Sequence, residues 1–246
     1  MEDIIRIENL CRNFVVGSET VHALRNVSFS IRPGEFVTIM GTSGSGKSTL
    51  LNILGCLDTP TSGEYYLDGM SVRKMGANDR ASYRNLKIGF IFQSYNLLAK
   101  TTALENVELP LLYNPAYTRR MRREKALEAL KAVGLEHRIF HRSNQMSGGQ
   151  QQRVAIARAM VNDPVILLAD EATGNLDTRT SYEILALFQR LHAEGRTLIF
   201  VTHNPEIAEF SSRNILLRDG HIIEDTRNSR IGSAQKVLDS LPKETN

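Results

Sequence analysis

Gly41-Thr42-Ser43-Gly44-Ser45-Gly46-Lys47-Ser48-Thr49 has the spacing GxxxxGK[ST] of a phosphate-binding loop, or P-loop. The glycines let the backbone curl so that successive N–H groups point at phosphate oxygens, at the positive end of the helix that follows. An apolar run, Phe36–Met40, precedes the loop, and helical spacing of apolar residues runs from Ser48 to Leu57. Because the motif requires this strand–loop–helix context, a chance Gly/Ser turn is a poor alternative. The stretch therefore predicts an α/β nucleotide-binding fold.

The side chains of the P-loop predict how a nucleoside triphosphate is held. We expect Lys47 to bridge the β- and γ-phosphates and the Ser48 hydroxyl to ligate Mg²⁺. The predicted phosphate contacts are Gly41, Ser43, Gly44, Ser45, Gly46, Lys47, Ser48 and Thr49.

A pair of acids follows a second apolar strand, Val165–Ala169. Asp170, at the carboxyl end of that strand, can hold the magnesium shell through Ser48 or water. Glu171 would then project toward the γ-phosphate, where a carboxylate can polarise an attacking water. Adjacent acids at a strand end can instead cap a helix, but a P-loop already demands a Mg²⁺ partner.

Strands and helices alternate along most of the chain, which predicts a parallel sheet with right-handed crossovers. The expected strands are Ile4–Ile7, Val27–Ile31, Phe36–Met40, Ile88–Phe92, Val165–Ala169, Leu198–Val201, Asn214–Leu217 and His221–Glu224. The expected helices are Ala103–Leu109, Arg119–Val133, Gly148–Val161 and Ser181–His192. From Thr226 onward we expect a polar, loosely held tail with one amphipathic helix at Ala234–Leu241.

Composition excludes several classes of protein. The 246 residues carry a net charge of +3, with 41% hydrophobic and 23% charged residues, as in an ordinary globular chain. Neither an apolar run of about 18 residues nor a signal-peptide pattern is present, so we expect no membrane span of its own. The small charge does not predict nucleic-acid binding. Cys11 and Cys56 form no CxxC pair, so we expect no zinc site.

A P-loop alone does not choose among GTPases, kinases, helicases and transporters, although no NKxD sequence supports a GTPase. Met146-Ser147-Gly148-Gly149-Gln150 resembles the LSGGQ signature of ATP-binding cassette (ABC) ATPases, with methionine where leucine is usual. This swap is nearly isosteric, so we expect a working signature. The resemblance implies ATP as the nucleotide. It also implies a RecA-like parallel-sheet core, an N-terminal antiparallel β subdomain and an α-helical signature subdomain.

The resemblance assigns roles to four further positions. Gln93 matches the Q-loop glutamine, which touches Mg²⁺ and water, and Gly174–Asp177 matches the D-loop. His203 matches the switch histidine, which contacts the γ-phosphate. Phe14 lies where the family carries an adenine-stacking aromatic, often tyrosine; a phenyl ring can also stack on a base.

These matches imply a complete site. The implied catalytic residues are Glu171, His203, Gln93 and Lys47, and the implied metal ligands are Ser48, Gln93 and Asp170. The signature would add nucleotide contacts from Ser147, Gly148, Gly149 and Gln150.

Family resemblance also implies domains and partners. Residues 1–225 would form one ATPase domain, with a helical subdomain inserted at about 94–160 and a tail at 226–246. Two copies would pair head-to-tail, each ATP lying between one P-loop and the other signature. An integral-membrane permease would dock near Gln93, with Tyr95, Asn96, Leu97 and Leu98 as candidate contacts. The chain would lie peripherally on the cytoplasmic face of the inner or plasma membrane, binding neither nucleic acid nor zinc.

Four stretches are similar to the macrolide-export and lipoprotein-release (MacB/LolD-type) branch: Leu54–Asp58, Ile91–Leu97, Glu105–Pro110 and Ala172–Asp177. That branch implies ATP-driven export or mechanical transmission through a separate membrane subunit. A cell-division-type ATPase that signals to periplasmic cell-wall enzymes is an open alternative. DNA-maintenance cassettes, with a long coiled coil, and double translation cassettes fit poorly. A binding scaffold without activity is disfavoured by the intact catalytic residues.

Overall fold

The computed structural model describes residues 2–242, which form two β-sheets with helices packed around them. The strands are β1 (Ile5–Val16), β2 (Glu19–Ile31), β3 (Phe36–Gly41), β4 (Ser62–Leu67), β5 (Met70–Ser71), β6 (Ile88–Phe92), β7 (Ile166–Asp170), β8 (Leu198–Thr202), β9 (Arg213–Arg218) and β10 (His221–Arg227). The helices are α1 (Lys47–Leu54), α2 (Ala77–Lys87), α3 (Ala103–Glu108), α4 (Arg119–Ala132), α5 (Gly148–Met160), α6 (Thr178–Ala193), α7 (Pro205–Ala208) and α8 (Ala234–Ser240).

The larger sheet has the strand order β10-β9-β3-β8-β7-β6. Strands β9, β3, β8, β7 and β6 run parallel, and β10 returns antiparallel to β9. The smaller sheet is antiparallel, in the order β2-β1-β4-β5. The predicted α/β class, with a parallel core and an N-terminal antiparallel sheet, is confirmed.

Both faces of the parallel sheet are covered, which explains the continuous apolar runs of its strands. Side chains alternate across a strand, so neighbours on β8 enter different cores. Ile199 packs into the core that lies around α1 and the smaller sheet. Phe200 packs into the core on the helical side, where its ring meets Phe188 of α6 edge-on. Both faces of the sheet are thus packed against other elements. The loops that follow its parallel strands lie at the carboxyl ends of those strands.

The N-terminal hairpin is much longer than the sequence predicts. Only the buried ends of β1 and β2, near Ile5 and Ile31, alternate clearly in hydrophobicity. Their outer halves are exposed, and the register shifts beside Asn9 and Asn26, which have positive φ. Strand β4 was likewise not predicted. An apolar period is visible only where one face of a strand is buried.

The expectation of a loosely held tail is wrong up to residue 242. The predicted amphipathic helix is present as α8, which packs against α6. Ala234 is fully buried, and its N–H donates to Gln189 Oε1 at 2.9 Å. Asn228 Nδ2 donates to the carbonyl oxygens of Ala208 at 2.7 Å and Ser211 at 2.6 Å. Polar side chains here bind backbone groups of the domain, which composition alone does not reveal.

None of the helices within residues 2–242 has the length and the apolar character that crossing a bilayer requires.

Candidate active site

Four neighbouring parallel strands deliver the predicted catalytic residues to one edge of the sheet. The P-loop follows β3, His203 follows β8, Asp170 and Glu171 stand at the end of β7, and Gln93 follows β6. The register pairs Phe92 with Asp170, and Asp170 with Val201. These residues are far apart in sequence, and they converge because the strand order places the carboxyl ends of the four strands side by side.

The P-loop is packed too tightly for side chains at two of its glycines. A Cβ on Gly41 would lie 2.4 Å from both Ser45 Oγ and the Leu217 carbonyl oxygen. Gly46 caps α1 at φ 103°, and a Cβ there would lie 2.6 Å from the Ala23 carbonyl oxygen. Only glycine fits these positions, and the loop is thereby curled around the N-terminus of α1.

The P-loop carries hydrogen-bond donors that suit an anionic ligand. Lys47 Nζ donates to the carbonyl oxygens of Gly41 at 2.7 Å and Thr42 at 2.8 Å, within its own loop. The Ser45 hydroxyl is buried and has no hydrogen-bond partner among residues 2–242. The turn between β9 and β10 supports the loop from outside, since Gly220 N–H donates to the Ser45 carbonyl at 3.0 Å. The loop thus offers a lysine and backbone N–H groups to phosphate oxygens.

Two cavities meet at the predicted catalytic pair. The larger, about 1220 Å³, is lined by the P-loop together with Glu171 and His203. The smaller, about 330 Å³, is lined by Gln93, the D-loop residue Gly174 and again by Glu171 and His203. The two residues stand between the phosphate-binding loop on one side and the Q-loop and D-loop on the other.

Glu171 and His203 contact each other directly. His203 Nδ1 lies 2.6 Å from Glu171 Oε1. Glu171 has φ 44°, a left-handed conformation that is strained for a residue with a side chain. Its N–H donates to the Val201 carbonyl at 2.9 Å, and its own carbonyl accepts from Gly174 N–H at 2.8 Å. The backbone of Glu171 is therefore held by two neighbouring elements, β8 and the D-loop.

Asp170 is electrostatically unfavourable in its ionised form. Burial raises the pKa of its carboxyl, the neighbouring Glu171 raises the pKa further, and Lys47 opposes both effects. A raised pKa in the folded chain means that stability is lost as the pH rises through it. This cost is absent below the unfolded value of 3.8 and is complete above the folded pKa. A bound cation would offset it.

Replacing Asp170 by asparagine should therefore separate stability from activity. At pH 7.5 and without nucleotide, we expect D170N to unfold at a higher temperature than the wild type, because a partly buried charge beside Glu171 is removed. Mg²⁺-dependent ATP hydrolysis should fall by more than about 10²-fold, since one of the expected metal ligands is lost. Calorimetry and phosphate-release assays measure the two effects.

The matched control is Asp177→Asn, which should not raise the unfolding temperature. The pKa of Asp177 is lowered by hydrogen bonds from Thr180, so its ionised form is the favoured one. A D170N chain that is less stable than wild type at pH 7.5 would contradict the proposed cost of the Asp170 charge.

Gln93 and the D-loop form a reciprocal amide pair. Gln93 Nε2 donates to Asn175 Oδ1, and Asn175 Nδ2 donates to the Gln93 carbonyl, both at 3.2 Å. Beyond Gln93, Tyr95 and Asn96 have φ values of 58° and 49°. The guanidinium of Arg158 on α5 donates to both of their carbonyls, at 2.8 and 2.5 Å. No sequence motif pointed to Arg158, because it lies 62 residues from Asn96.

The signature begins helix α5. The Ser147 hydroxyl accepts from Gln150 N–H at 3.3 Å, and Gln150 Oε1 accepts from Ser147 N–H at 3.1 Å, which forms a capping box. Met146 is buried in the helical-side core, as leucine would be. No residue of 146–153 lines the cavity of the P-loop in the part of the chain that the structure describes. Within one chain, signature and P-loop are thus not brought together.

Phe14 lies on β1 opposite Val21 of β2. The Arg12 guanidinium stands 4.5 Å from the centre of its ring. Val21 and His22 line the P-loop cavity, whereas Phe14 is not among the lining residues. The role of Phe14 in stacking on adenine stays a prediction, and His22 is a cavity residue for which the sequence held no signal.

The donors near the P-loop fit magnesium better than a transition metal. Residues 2–242 contain no group of three or more His, Cys, Asp or Glu side chains placed to hold a metal ion. Mg²⁺ is commonly held by one or two protein oxygens together with water and substrate phosphates. The Ser48 hydroxyl on the cavity wall and the Asp170 carboxylate at the end of β7 supply such oxygens.

Comparisons with known proteins give consistent matches. A family model described as "ABC transporter" matches residues 24–174. An uncharacterized ABC transporter ATP-binding protein of Thermotoga maritima is 54% identical over 90% of this chain and 94% of its own length. The macrolide export ATP-binding/permease protein MacB of Brucella melitensis is 49% identical over 96% of this chain, which covers 36% of MacB.

A solved structure is also closely similar. The ATP-binding cassette MJ0796, in a dimeric post-hydrolysis state bound to ADP and Pi, superposes with a TM-score of 0.82 at 47% identity. The alignment covers 91% of this chain and 98% of that one. The protein of that name in Methanocaldococcus jannaschii is described as an uncharacterized ABC transporter ATP-binding protein.

Proposed function

The chain belongs to the ABC transporter family and is an ABC ATPase, and on this premise we propose that it powers a membrane-spanning permease carried on a separate chain. The observation that carries the proposal is the single sheet edge at which Lys47, Asp170, Glu171 and His203 meet. MacB, whose name joins ATP-binding and permease functions, is matched over 36% of its length. The Thermotoga maritima relative, covered over 94% of its length, is named only as an ATP-binding protein, which supports a permease on a separate chain. The name of MacB supports export.

Phosphate binding follows from the P-loop. Lys47 Nζ would exchange its two backbone carbonyls for oxygens of the β- and γ-phosphates, and the backbone N–H groups of the loop would bind the remaining oxygens. Ser48, Gln93 and Asp170 would hold Mg²⁺, which when bound supplies positive charge against the phosphate oxygens. Phe14 is proposed to stack on the adenine.

Water activation is assigned to Glu171. Its carboxylate accepts a hydrogen bond from His203 if Nδ1 carries the proton, and this contact holds the carboxylate where the two cavities meet. An oriented carboxylate can take the proton of a water that attacks the γ-phosphorus in line with the leaving oxygen. Gln93, on the other side of Glu171, would help to place that water.

A second copy of the chain is proposed to complete the site. The Ser147 hydroxyl and the first N–H groups of α5 form an anion site that the P-loop of the same chain does not reach. In a two-fold, head-to-tail pair, each ATP would lie between one P-loop and the opposite signature. The dimeric state described for MJ0796 supports this arrangement. ATP would hold the dimer closed, and hydrolysis would release it.

The permease is proposed to dock in a groove beside the Q-loop. This groove, about 820 Å³, is lined by Phe90 and Phe92 of β6, whose rings stack 5.3 Å apart, and by Asn96 of the Q-loop. Tyr113 also lines the groove and is 75% exposed. Of the four contacts expected from the sequence, Asn96 alone lines the groove in the described part of the chain. Docking here would place the subunit on the cytoplasmic face of the membrane.

Replacing Tyr113 by aspartate should weaken docking without affecting the isolated ATPase. An exposed aromatic anchor is lost and a carboxylate is placed against an apolar groove, so we expect at least a tenfold loss of affinity, on the order of 1.4 kcal/mol or more. The measurement is co-purification with a candidate membrane-spanning permease from the same organism, after co-expression and detergent extraction.

Phe140→Asp is the control for this prediction. Phe140 is 63% exposed and lies outside the groove. The Phe140→Asp substitution should therefore leave both co-purification and ATPase activity unchanged. Equal retention of the permease by the two variants would contradict docking in this groove.

A further inference from the structure

A buried glutamine joins the signature helix to the segment that carries Glu171. Gln152 lies on α5 and is completely buried. Its Nε2 donates to the Ala172 carbonyl at 2.8 Å, whereas its Oε1 has no partner among residues 2–242. A buried acceptor without a partner destabilises a fold, and an apolar side chain of the same size would avoid that cost. What the amide contributes here is its contact with Ala172.

The Ala172 carbonyl belongs to the residue directly after Glu171. Glu171 is left-handed, and such a conformation persists only where the surroundings determine it. On its N-terminal side the Val201 carbonyl binds its N–H; on its C-terminal side Gly174 N–H binds its carbonyl. Gln152 adds a further contact, from α5, to the carbonyl of the next residue, Ala172. The position of α5 therefore affects the backbone beside Glu171 and, through it, the direction of the Glu171 side chain.

Helix α5 carries displacements from the signature to this contact. Ser147 caps its N-terminus, and Gln152 is five positions further along, about 7.5 Å at the helical rise per residue. A hydrogen-bonded helix moves as one body over such a distance. A shift of the signature toward a phosphate would then move Gln152 and, through it, the Ala172 carbonyl.

We propose that Gln152 is a positioning residue for Glu171 and transmits the state of the signature to the catalytic carboxylate of the same chain. The inference rests on the proposed head-to-tail dimer. In that dimer, the signature of a chain serves one ATP and its Glu171 serves the other. The hydrogen bond from Gln152 to Ala172 therefore links the two ATP sites, and closure around one ATP orients the carboxylate at the second.

Gln152→Leu is the first test, because leucine fills a similar volume and donates no hydrogen bond. We expect kcat to fall about tenfold, equal to ~1.4 kcal/mol of activation barrier. KM for ATP should stay within about twofold, since the P-loop is untouched. The Hill coefficient for ATP, at most about 2 for two sites, should fall toward 1. Wild-type kcat and Hill coefficient in Q152L would overturn the proposal.

Gln152→Glu tests the same contact by pH. A fully buried carboxyl has a raised pKa, and in its neutral form it can donate an O–H to the Ala172 carbonyl. The ratio of Q152E to wild-type kcat should therefore be highest at low pH and should fall as the pH rises. A ratio that does not change between pH 5.5 and 8.5 would count against the hydrogen bond as the active feature, even if Q152L folds poorly.

Gln189→Leu is the matched control. Gln189 also donates to backbone carbonyls, those of Phe210 at 3.0 Å and Gly232 at 2.6 Å, but beside α8. Its loss should lower the unfolding temperature and leave kcat and the Hill coefficient unchanged. If Q189L shows the same loss of kcat and of the Hill coefficient as Q152L, a general loss of stability would explain both variants, and the proposal would fail.

The variant Glu171→Gln (E171Q), which should bind ATP and hydrolyse it very slowly, separates this inference from the proposed function. If E171Q itself stays monomeric with ATP, the head-to-tail dimer fails. If E171Q dimerises and Q152L keeps wild-type kinetics, only the role of Gln152 fails. The double variant Q152L/E171Q is expected to dimerise, because the signature cap at Ser147 is unaltered.

Discussion

Replacing Glu171 by glutamine is expected to lower ATP turnover by about three orders of magnitude while ATP still binds. The amide has the size of the carboxylate but accepts no proton from water. Lys47 and the P-loop, which bind the phosphates, are unchanged. Because the γ-phosphate then persists, E171Q should accumulate as an ATP-bound dimer. Phosphate release measures the first effect, and size-exclusion chromatography with Mg²⁺ and ATP measures the second.

Glu206→Gln is the control for E171Q. Glu206 lines the smaller cavity, as Glu171 does, but it does not line the cavity of the P-loop, and its side chain is exposed. Its replacement should leave turnover within about twofold, because an exposed side chain can be changed with little effect on the stability of the fold. E171Q that hydrolyses ATP like the wild type, or that elutes as a monomer with ATP, would show that Glu171 does not have the proposed role.

Adding Ser147→Asp to E171Q is expected to abolish the ATP-bound dimer. Aspartate caps a helix N-terminus as well as serine does, so α5 should stay folded. Its negative charge, however, would face the triphosphate bound by the opposite chain. Like charges brought together at an interface cost several kcal/mol, so dimer affinity should fall at least ~10²-fold. The double variant should elute as a monomer and still bind ATP through its own P-loop.

Thr118→Asp in the same background is the matched control. Thr118 caps α4 as Ser147 caps α5, with a hydroxyl that accepts from Met121 N–H at 3.3 Å. It lies outside the signature, so T118D/E171Q should dimerise like E171Q. If both variants lose the dimer, a negative charge at any helix cap is enough to disrupt it, and the signature has no special role. A dimer in S147D/E171Q would contradict head-to-tail pairing.

Local patterns predicted the central elements well. Strand β3, the P-loop and α1 follow one another without a break, and β6, β7 and β8 each end within a residue of the predicted position. Such elements are visible because buried strands are continuously apolar and the P-loop needs glycines at fixed spacing. The predicted helix after the P-loop is shorter than expected, since Gly55 ends it and Cys56 has φ 54°.

The errors share one cause. The outer halves of β1 and β2 pair with each other while their side chains are largely exposed, so no apolar period marks them. The tail is polar, yet Asn228 and Ala234 are tied to the domain by hydrogen bonds. In both cases hydrogen bonds of backbone groups hold the segment in place, and neither hydrophobic periodicity nor composition reports such bonds.

The sequence by itself determined which chemical groups this protein carries: a lysine in a phosphate loop, two acids where one strand ends, a histidine after another strand and a signature-like stretch. These follow from contiguous residues, because torsion preferences and spacing act locally. Only the tertiary structure decided which groups meet. His203 lies 2.6 Å from Glu171, and Gln152 holds Ala172, because two-sided packing of the parallel sheet sets its strand order and places α5 beside it. That packing depends on the whole core, which no single motif contains.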